Sequence, residues 1–247
     1  MNDGPAYGRM VDELREAIRS GELTGRLPSL ISLADRYGVA PAIARKAVDI
    51  LRAEGLITHT RQGARPYVRQ FQRITRRSPD RLSREQWGAG KAIQDADTGI
   101  RPRAVDVTVG ETPAPHDVAE ALGVEPGAPV LTRDRRFLVE QRPVQLATSY
   151  LPLDFADTRL AYTDVGAGGT YARLAELGHA PARFVERVTA RVPRPDEVER
   201  LGLASAVGTV VLEIVRHAYT DAGRCVEVNR MILDATTYDL EYAFPAE

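Results

Sequence analysis

The sequence predicts an α+β protein in two parts: a small helical head that ends in a hairpin, and a larger antiparallel sheet with helices packed on it. Three observations carry this. Residues 6–69 hold three helix-periodic stretches broken at tight turns and followed by two short strand-like runs. From Val105 onward, strand patterns recur with short helices between them. Charge is unequally divided, with 14 Arg and Lys against 8 Asp and Glu up to Arg77, then 19 against 26. A chain of 247 residues is long enough for two ordinary domains, and 43% hydrophobic with 27% charged residues is an ordinary soluble composition. The expected division is a head over 1–70, a linker over 71–90 and a second domain over 91–247.

In the head, Tyr7, Met10, Val11, Leu14 and Ile18 recur at helical spacing, and Gly21 suits the left-handed stop that follows. Ser29, behind Pro28, is placed to cap a second helix whose apolar face is Leu30, Leu33, Ala34 and Tyr37. Gly38 ends it. Pro41 fits the first turn of a third helix, where its missing N–H costs nothing, and Ala44, Ala47, Val48 and Leu51 face inward. Two helices joined by so short a turn must cross steeply. After Gly55, "LITHTRQGARPYVRQ" reads as a hairpin with Arg61, Gln62, Gly63 and Arg65 at its tip.

Helix, helix, tight turn, helix and hairpin make a winged helix-turn-helix. In that arrangement the second helix braces the third, whose N-terminal end enters a DNA major groove. A protein-binding winged helix is the alternative. Charge weighs against it: Arg61 to Arg84 contains eight Arg and one acid, Asp80. Cations without counter-charges favour phosphates, although the later part of the run reads as solvated linker.

The stretch "RLPSLISLADRYGVAPAIARKAVDILRAEGLI" resembles the DNA-binding domain of GntR-type bacterial transcription regulators. The matching pieces are Arg26-Leu27-Pro28-Ser29, Leu33-Ala34, Tyr37-Gly38-Val39, Arg45-Lys46-Ala47 and Ala53-Glu54-Gly55-Leu56-Ile57. The family's polar start to the third helix is replaced by Ala40, Pro41, Ala42 and Ile43. Alanines cannot hydrogen-bond base edges but can touch thymine methyls, which leaves Arg45 as the candidate guanine reader. A surface ion pair with Asp49 is the plain alternative for Arg45. Lys46 is expected on phosphate, as are Ser29 and the backbone amides beside it. With Arg26 and the hairpin tip, these residues make up the candidate DNA-binding set.

In the second domain, "DVAEALGVEPGAPVLTRDRRFL" (117–138) parallels "DEVERLGLASAVGTVVLEIVRHAY" (196–219). Each gives a short helix, Leu-Gly, a Gly turn and a long strand that turns into a partner, which predicts an antiparallel sheet. The pieces "DVAEALGV", "RPVQLATSYLP", "GGTYARLAELG", "DEVERLGL" and "YTDAGRCVEVNRMILDATTYDLEY" resemble the UTRA ligand-sensing domain of the HutC branch, whose fold is similar to chorismate lyase. The resemblance implies a homodimer on a two-fold double-stranded operator, with a small-molecule effector that alters DNA affinity. Against the family's Arg-x-Arg for phosphorylated sugars, Arg135 takes the first position and Phe137 the second; Ala147 and Leu233 replace further polar positions. The expected effector is therefore partly apolar rather than a sugar phosphate, with Arg135 as anion anchor. Ser149, Thr170, Tyr171, Glu186, Arg216, Glu227 and Arg230 are the other candidate effector contacts, Arg216 and Glu227 being alternatively a cross-strand ion pair.

A single cysteine, Cys225, excludes an intrachain disulfide and a Cys-based zinc site, and suits a reducing cytoplasm. The four scattered histidines and the absence of a nucleophile elbow or phosphate loop point away from an enzyme, a metal or a cofactor. No apolar run approaches membrane-span length. The expected function is a ligand-responsive repressor; a repressor without effector, whose second domain only dimerises, is the alternative.

Overall fold

The computed structural model describes residues 6–54, 56–58, 66–68, 73–98, 101–139, 141–203, 205–206 and 208–243. Contacts divide the chain into two compact units, Met1–Phe71 and Gln72–Glu247.

The first unit contains α1 (Ala6–Arg19), α2 (Leu30–Tyr37), α3 (Pro41–Ala53), β1 (Ile57–Thr58) and β2 (Tyr67–Val68). Its core is the set that helical spacing selects: Met10, Val11, Leu14, Leu33, Ala34, Ala44, Ala47, Val48 and Leu51, closed by Leu27, Ile57 and Val68. Ser29 Oγ accepts from the Ser32 N–H at 3.1 Å and caps α2. Gly38, at φ 62°, turns its N–H back to the carbonyls of Ala34 and Asp35 and makes the corner. Arg15 fastens α1 to the end of α3 through Glu54, at 2.5 and 2.9 Å.

The second unit opens with β3 (Ile74–Arg77), α4 (Ser78–Leu82) and α5 (Arg84–Gly88). This corrects the expected linker over 71–90. Arg76, Ser78, Arg81, Leu82 and Trp87 are all buried. A strand that buries two arginines in its neighbourhood breaks the hydrophobic alternation on which strand recognition depends. The excess of free cations expected between Arg61 and Arg84 is corrected in the same way. Arg73 pairs with Asp239, Arg76 with Glu186, Arg77 with Glu241 and Arg81 with Asp97. Acids supplied from far along the chain therefore neutralise four of the eight.

Then follow β4 (Arg103–Pro113), α6 (His116–Leu122), β5 (Pro129–Val139), β6 (Arg142–Leu151), α7 (Gly169–Glu176), β7 (Arg183–Arg191), α8 (Pro195–Leu201), β8 (Val211–Tyr219), β9 (Cys225–Asp234) and β10 (Tyr238–Glu241). Six strands form one sheet in the order β4-β5-β6-β9-β8-β7, antiparallel throughout. The parallel between residues 117–138 and 196–219 is architectural. β4-α6-β5-β6 and β7-α8-β8-β9 meet at the β6–β9 seam, and α6 and α8 both end on a left-handed glycine, Gly123 at φ 71° and Gly202 at φ 61°. The last strand lies outside this sheet: β10 pairs in parallel with β3.

One sheet face is covered by α6, through Val118, Ala119 and Leu122, and by Leu201 of α8. On the other, Leu131, Leu151, Ala218 and Val226 pack with Leu82, Trp87, Phe155, Leu160, Tyr171 and Leu174. That second face is only partly filled by apolar side chains, and the remainder of it carries the arginines.

Candidate functional site

In the head, the exposed start of α3 presents Ala40, Ala42, Arg45 and Lys46. Pro41 sits in the first turn, and no side chain caps the helix. Pro41 has no N–H, and Ile43 and Ala44 donate to the Ala40 carbonyl, which leaves the Ala42 amide open to an acceptor. Asp49 pairs with Arg52 at 2.5 Å rather than with Arg45, which is exposed and holds no ion pair or hydrogen bond among the described residues. Ser29 keeps its hydroxyl proton while its oxygen caps α2. Arg26 donates to the Tyr67 hydroxyl at 2.6 Å and lies 5.4 Å from that ring's centroid, so it ties the chain before α2 to the hairpin. Arg61, Gln62, Gly63 and Arg65 lie outside the described residues.

In the second unit, the antiparallel register lines up one polar row across five strands. Arg133 on β5 faces Ser149 on β6, then Asn229 on β9, Arg216 on β8 and Glu186 on β7. Two residues along, Arg135, Ala147 and Met231 form the next row on the same side. Above these rows lies a cavity of about 650 Å³, with Gly168, Gly169, Thr170 and Tyr171 at the start of α7 in its wall. Arg103 and Val107 of β4, Ile93, Phe137 and Met231 complete much of the lining.

Of the sequence-predicted effector residues, Arg135, Phe137, Thr170, Tyr171, Arg216 and Glu227 line this cavity. Three others stand elsewhere, and their expected contacts are corrected accordingly. Ser149 is fully buried beneath the cavity and accepts from Arg135. Glu186 lies beyond Arg216 and binds Arg76 and Ser78. Arg230 points to the opposite sheet face, where it pairs with Asp117 and lies 5.7 Å from the Tyr150 ring centroid. Strand parity explains that miss, since 230 is out of phase with 227, 229 and 231. The alternative cross-strand pair of Arg216 with Glu227 does not form in register: Arg216 faces Asn229, and Glu227 faces Ala218.

Arg133 was missed, although parity with Arg135 predicts it. Its guanidinium donates to the carbonyls of Leu160 at 2.6 Å, Tyr162, and Thr163 at 3.1 Å. Burial pushes its pKa down to about 10, with the neighbouring Arg135 adding to the effect. Burial likewise lowers Arg135. Tyr171 donates to Glu227 at 2.7 Å; burial, with Glu227 and Glu186 nearby, raises its phenol well above the ordinary value. The Nε of Arg135, the Nε and Nη1 of Arg216 and the Oδ1 of Asn229 are buried without a hydrogen-bond partner. Buried polar groups are ordinarily satisfied; the three guanidinium positions are donors that an acceptor oxygen would satisfy, and the Asn229 oxygen is an acceptor.

The gntR family of bacterial regulatory proteins matches residues 6–66, and the UTRA domain matches residues 97–239. An HTH-type transcriptional regulator of Mycobacterium tuberculosis is 32% identical over 232 residues, spanning 91% of this chain and 80% of that one. One from Rhizobium meliloti is 29% identical over 228 residues, 91% of this chain and 88% of its own. The crystal structure of PhnF from Mycobacterium smegmatis shares the fold, with a TM-score of 0.61, 22% identity, and coverage of 96% of this chain and 100% of that one. Among the described residues, no helix is long and apolar enough to cross a membrane. Helix-turn-helix head, six-stranded sensing sheet and family matches agree: the chain belongs to the gntR family of bacterial regulatory proteins, as a DNA-binding transcription regulator with a UTRA ligand-binding domain.

Proposed function

We propose that the chain is a cytoplasmic, homodimeric repressor without enzymatic activity, whose affinity for a two-fold operator is set by an anionic effector with an apolar body. The observation that carries the effector reading is the group of guanidiniums of Arg133 and Arg216, buried, and Arg135, half-buried, on one face of a cavity of about 650 Å³, with donors left over at Arg135 and Arg216. A carboxylate or phosphate supplies the acceptors those donors lack, in a setting of low dielectric where charge-assisted bonds are strong. Phe137, Ala147 and Met231 beside them favour an apolar remainder over a polyhydroxylated sugar.

In the dimer, two α3 helices address half-sites about one helical turn or a multiple apart. The effector acts by binding one arrangement of the heads more tightly than the other, and differential affinity is the whole source of the switch. The test is a footprint on the protein's own upstream DNA, repeated with carboxylates and phosphates carrying apolar substituents. Release or strengthening of the footprint by an anion, with no effect of its neutral analogue, supports the reading. An operator affinity indifferent to every such compound leaves the effector-free repressor as the function.

A further inference from the structure

The buried charges do not stop at the cavity wall. On the side of Arg216 away from Asn229 stands Glu186, whose Oε1 is 3.7 Å from the Arg216 Nη1. The same oxygen accepts from Arg76 at 2.5 Å, and the other carboxylate oxygen accepts from the Ser78 hydroxyl at 2.6 Å. The side chains of Arg76, Glu186 and Arg216 keep 0%, 8% and 2% of their exposure. Arg76 lies on β3 and Ser78 begins α4, so the far end of this chain of contacts is the first described segment after the DNA-binding head.

Two features make the arrangement responsive. First, it is short of negative charge. Arg76, Arg81, Arg133, Arg135 and Arg216 are set against Asp97, Glu186 and Glu227, an excess of two cations among these groups, which the exposed Asp164 beside Arg133 offsets only from the solvent side. Unbalanced buried charge is costly, so an anion at Arg216 is favoured. Second, Glu186 is shared unequally: it hydrogen-bonds Arg76 and only approaches Arg216. Burial alone would raise its carboxyl, yet Arg76 and Arg216, with hydrogen bonds from Ser78 and Arg76, hold it below the usual range and so ionised. An anion that engages the unpaired Nε of Arg216 competes with Glu186 for that guanidinium, whose Nη1 already approaches the carboxylate, and so leaves the carboxylate more to Arg76 and Ser78.

We propose that Glu186 is a positioning residue through which an anion bound at Arg216 fixes β3 and α4, the segment by which the DNA-binding head is joined to the sensing unit. This rests on the reading of the cavity as an anion site.

Hydrogen exchange of the full chain, with phenyl phosphate as the probe, separates the two ideas. In the wild type, phenyl phosphate is expected to slow exchange at residues 131–137 and 169–171 and also at residues 74–82. In Glu186→Gln, the first slowing is expected to persist while the second falls at least fivefold. Ser78→Ala, which removes one hydroxyl and leaves the ion pairs, is expected to reduce the second slowing by an intermediate amount. It serves as the deciding variant should Glu186→Gln not fold. Slowing at 74–82 that is undiminished in these variants overturns the proposal, as does slowing at the cavity alone in the wild type. No slowing anywhere in the wild type overturns the anion-site reading, and the proposal with it.

Discussion

The hydroxyl of Tyr171 donates to Glu227 at 2.7 Å, and the Arg216 guanidinium lies 5.4 Å from the centroid of the same ring. One tyrosine at the start of α7 thus holds both a buried acid and a buried cation of the sheet. Tyr171→Phe keeps the ring and removes the only hydrogen bond to the Glu227 side chain found among the described residues. Leaving a buried carboxylate short of a donor costs about 1–3 kcal/mol. Urea unfolding monitored by circular dichroism is expected to show a loss in that range, and a change below about 0.5 kcal/mol would mean that Glu227 is satisfied from elsewhere.

Arg133 and Arg135 both face the cavity, but their obligations differ. Arg133 holds the carbonyls of Leu160, Tyr162 and Thr163, whereas Arg135 has Ser149 and a free Nε. Arg135→Ala is expected to leave operator binding intact and abolish the response to an anionic effector. Arg133→Ala is expected to do the same and also lower stability by about 1–3 kcal/mol, chiefly through the orphaned carbonyl of the buried Leu160, since Tyr162 and Thr163 are exposed to water. Thermal unfolding beside operator titration separates the two; equal stability of the two variants would refute the division.

How much of this was readable beforehand follows from the physics of each signal. The corner at Gly38 and Pro41 and the inward faces of α1 to α3 were legible because a helical apolar stripe and turn residues are local. The paired units around the β6–β9 seam were legible because each carries its own Leu-Gly stop. β3 was not, because Arg76 is buried by Glu186, 110 residues away, and nothing near it in sequence announces that partner. Arg133 is legible in principle by strand parity, but the family's Arg-x-Arg spacing, aligned on Arg135, points forward to Phe137 and not back to Arg133. Glu186 was selected as a cavity residue, yet it acts one strand farther out, a distinction that depends on register and not on residue type.

Arg45 and Arg61 are expected to divide the work at DNA. Arg45 projects from the exposed start of α3 with no partner among the described residues, as a base-reading guanidinium should. Arg45→Ala is expected to flatten preference among operator variants by about 1–3 kcal/mol at one base position. Arg61→Ala, at the hairpin tip by sequence, is expected to weaken all duplexes alike and to reduce the slope of log K against log salt by about 0.9. Titrations of operator and scrambled duplex at several salt concentrations give both quantities. Two variants with the same profile would remove the assignment.

Cys225 gives a prediction about pH. It is buried on the α6 side of the sheet, and burial pushes its thiol up to about 11 from 9.0. A folded value above the unfolded one favours the neutral thiol, so this contribution to stability is complete below the unfolded value and is lost as pH rises through about 11. At pH 8 the native thiolate population is about 100-fold smaller than in the unfolded chain. A thiol reagent at pH 8 is therefore expected to label native protein at least about 100-fold more slowly than urea-unfolded protein. Comparable rates would place the thiol in contact with water.

Gly168 tests the packing that shapes the cavity wall. At φ 76° it occupies backbone space that side chains resist, and an added Cβ would stand 2.5 Å from the Ala172 Cβ and 2.6 Å from the Trp87 carbonyl oxygen. Its own N–H donates to the Gly90 carbonyl at 3.0 Å, so the start of α7 is pressed against the end of α5. Relief would require α7 to withdraw, carrying Thr170 and Tyr171 with it. Gly178, at φ 81°, has the same backbone demand but open space around its Cβ position. Gly178→Ala therefore isolates the conformational cost, about 1 kcal/mol, and Gly168→Ala is expected to exceed it by at least about 1 kcal/mol through the clash. Because Tyr171 moves with α7, Gly168→Ala is also expected to weaken anion binding while Gly178→Ala does not. Equal stability losses in the two variants would show that the α5–α7 contact yields freely and does not define the cavity.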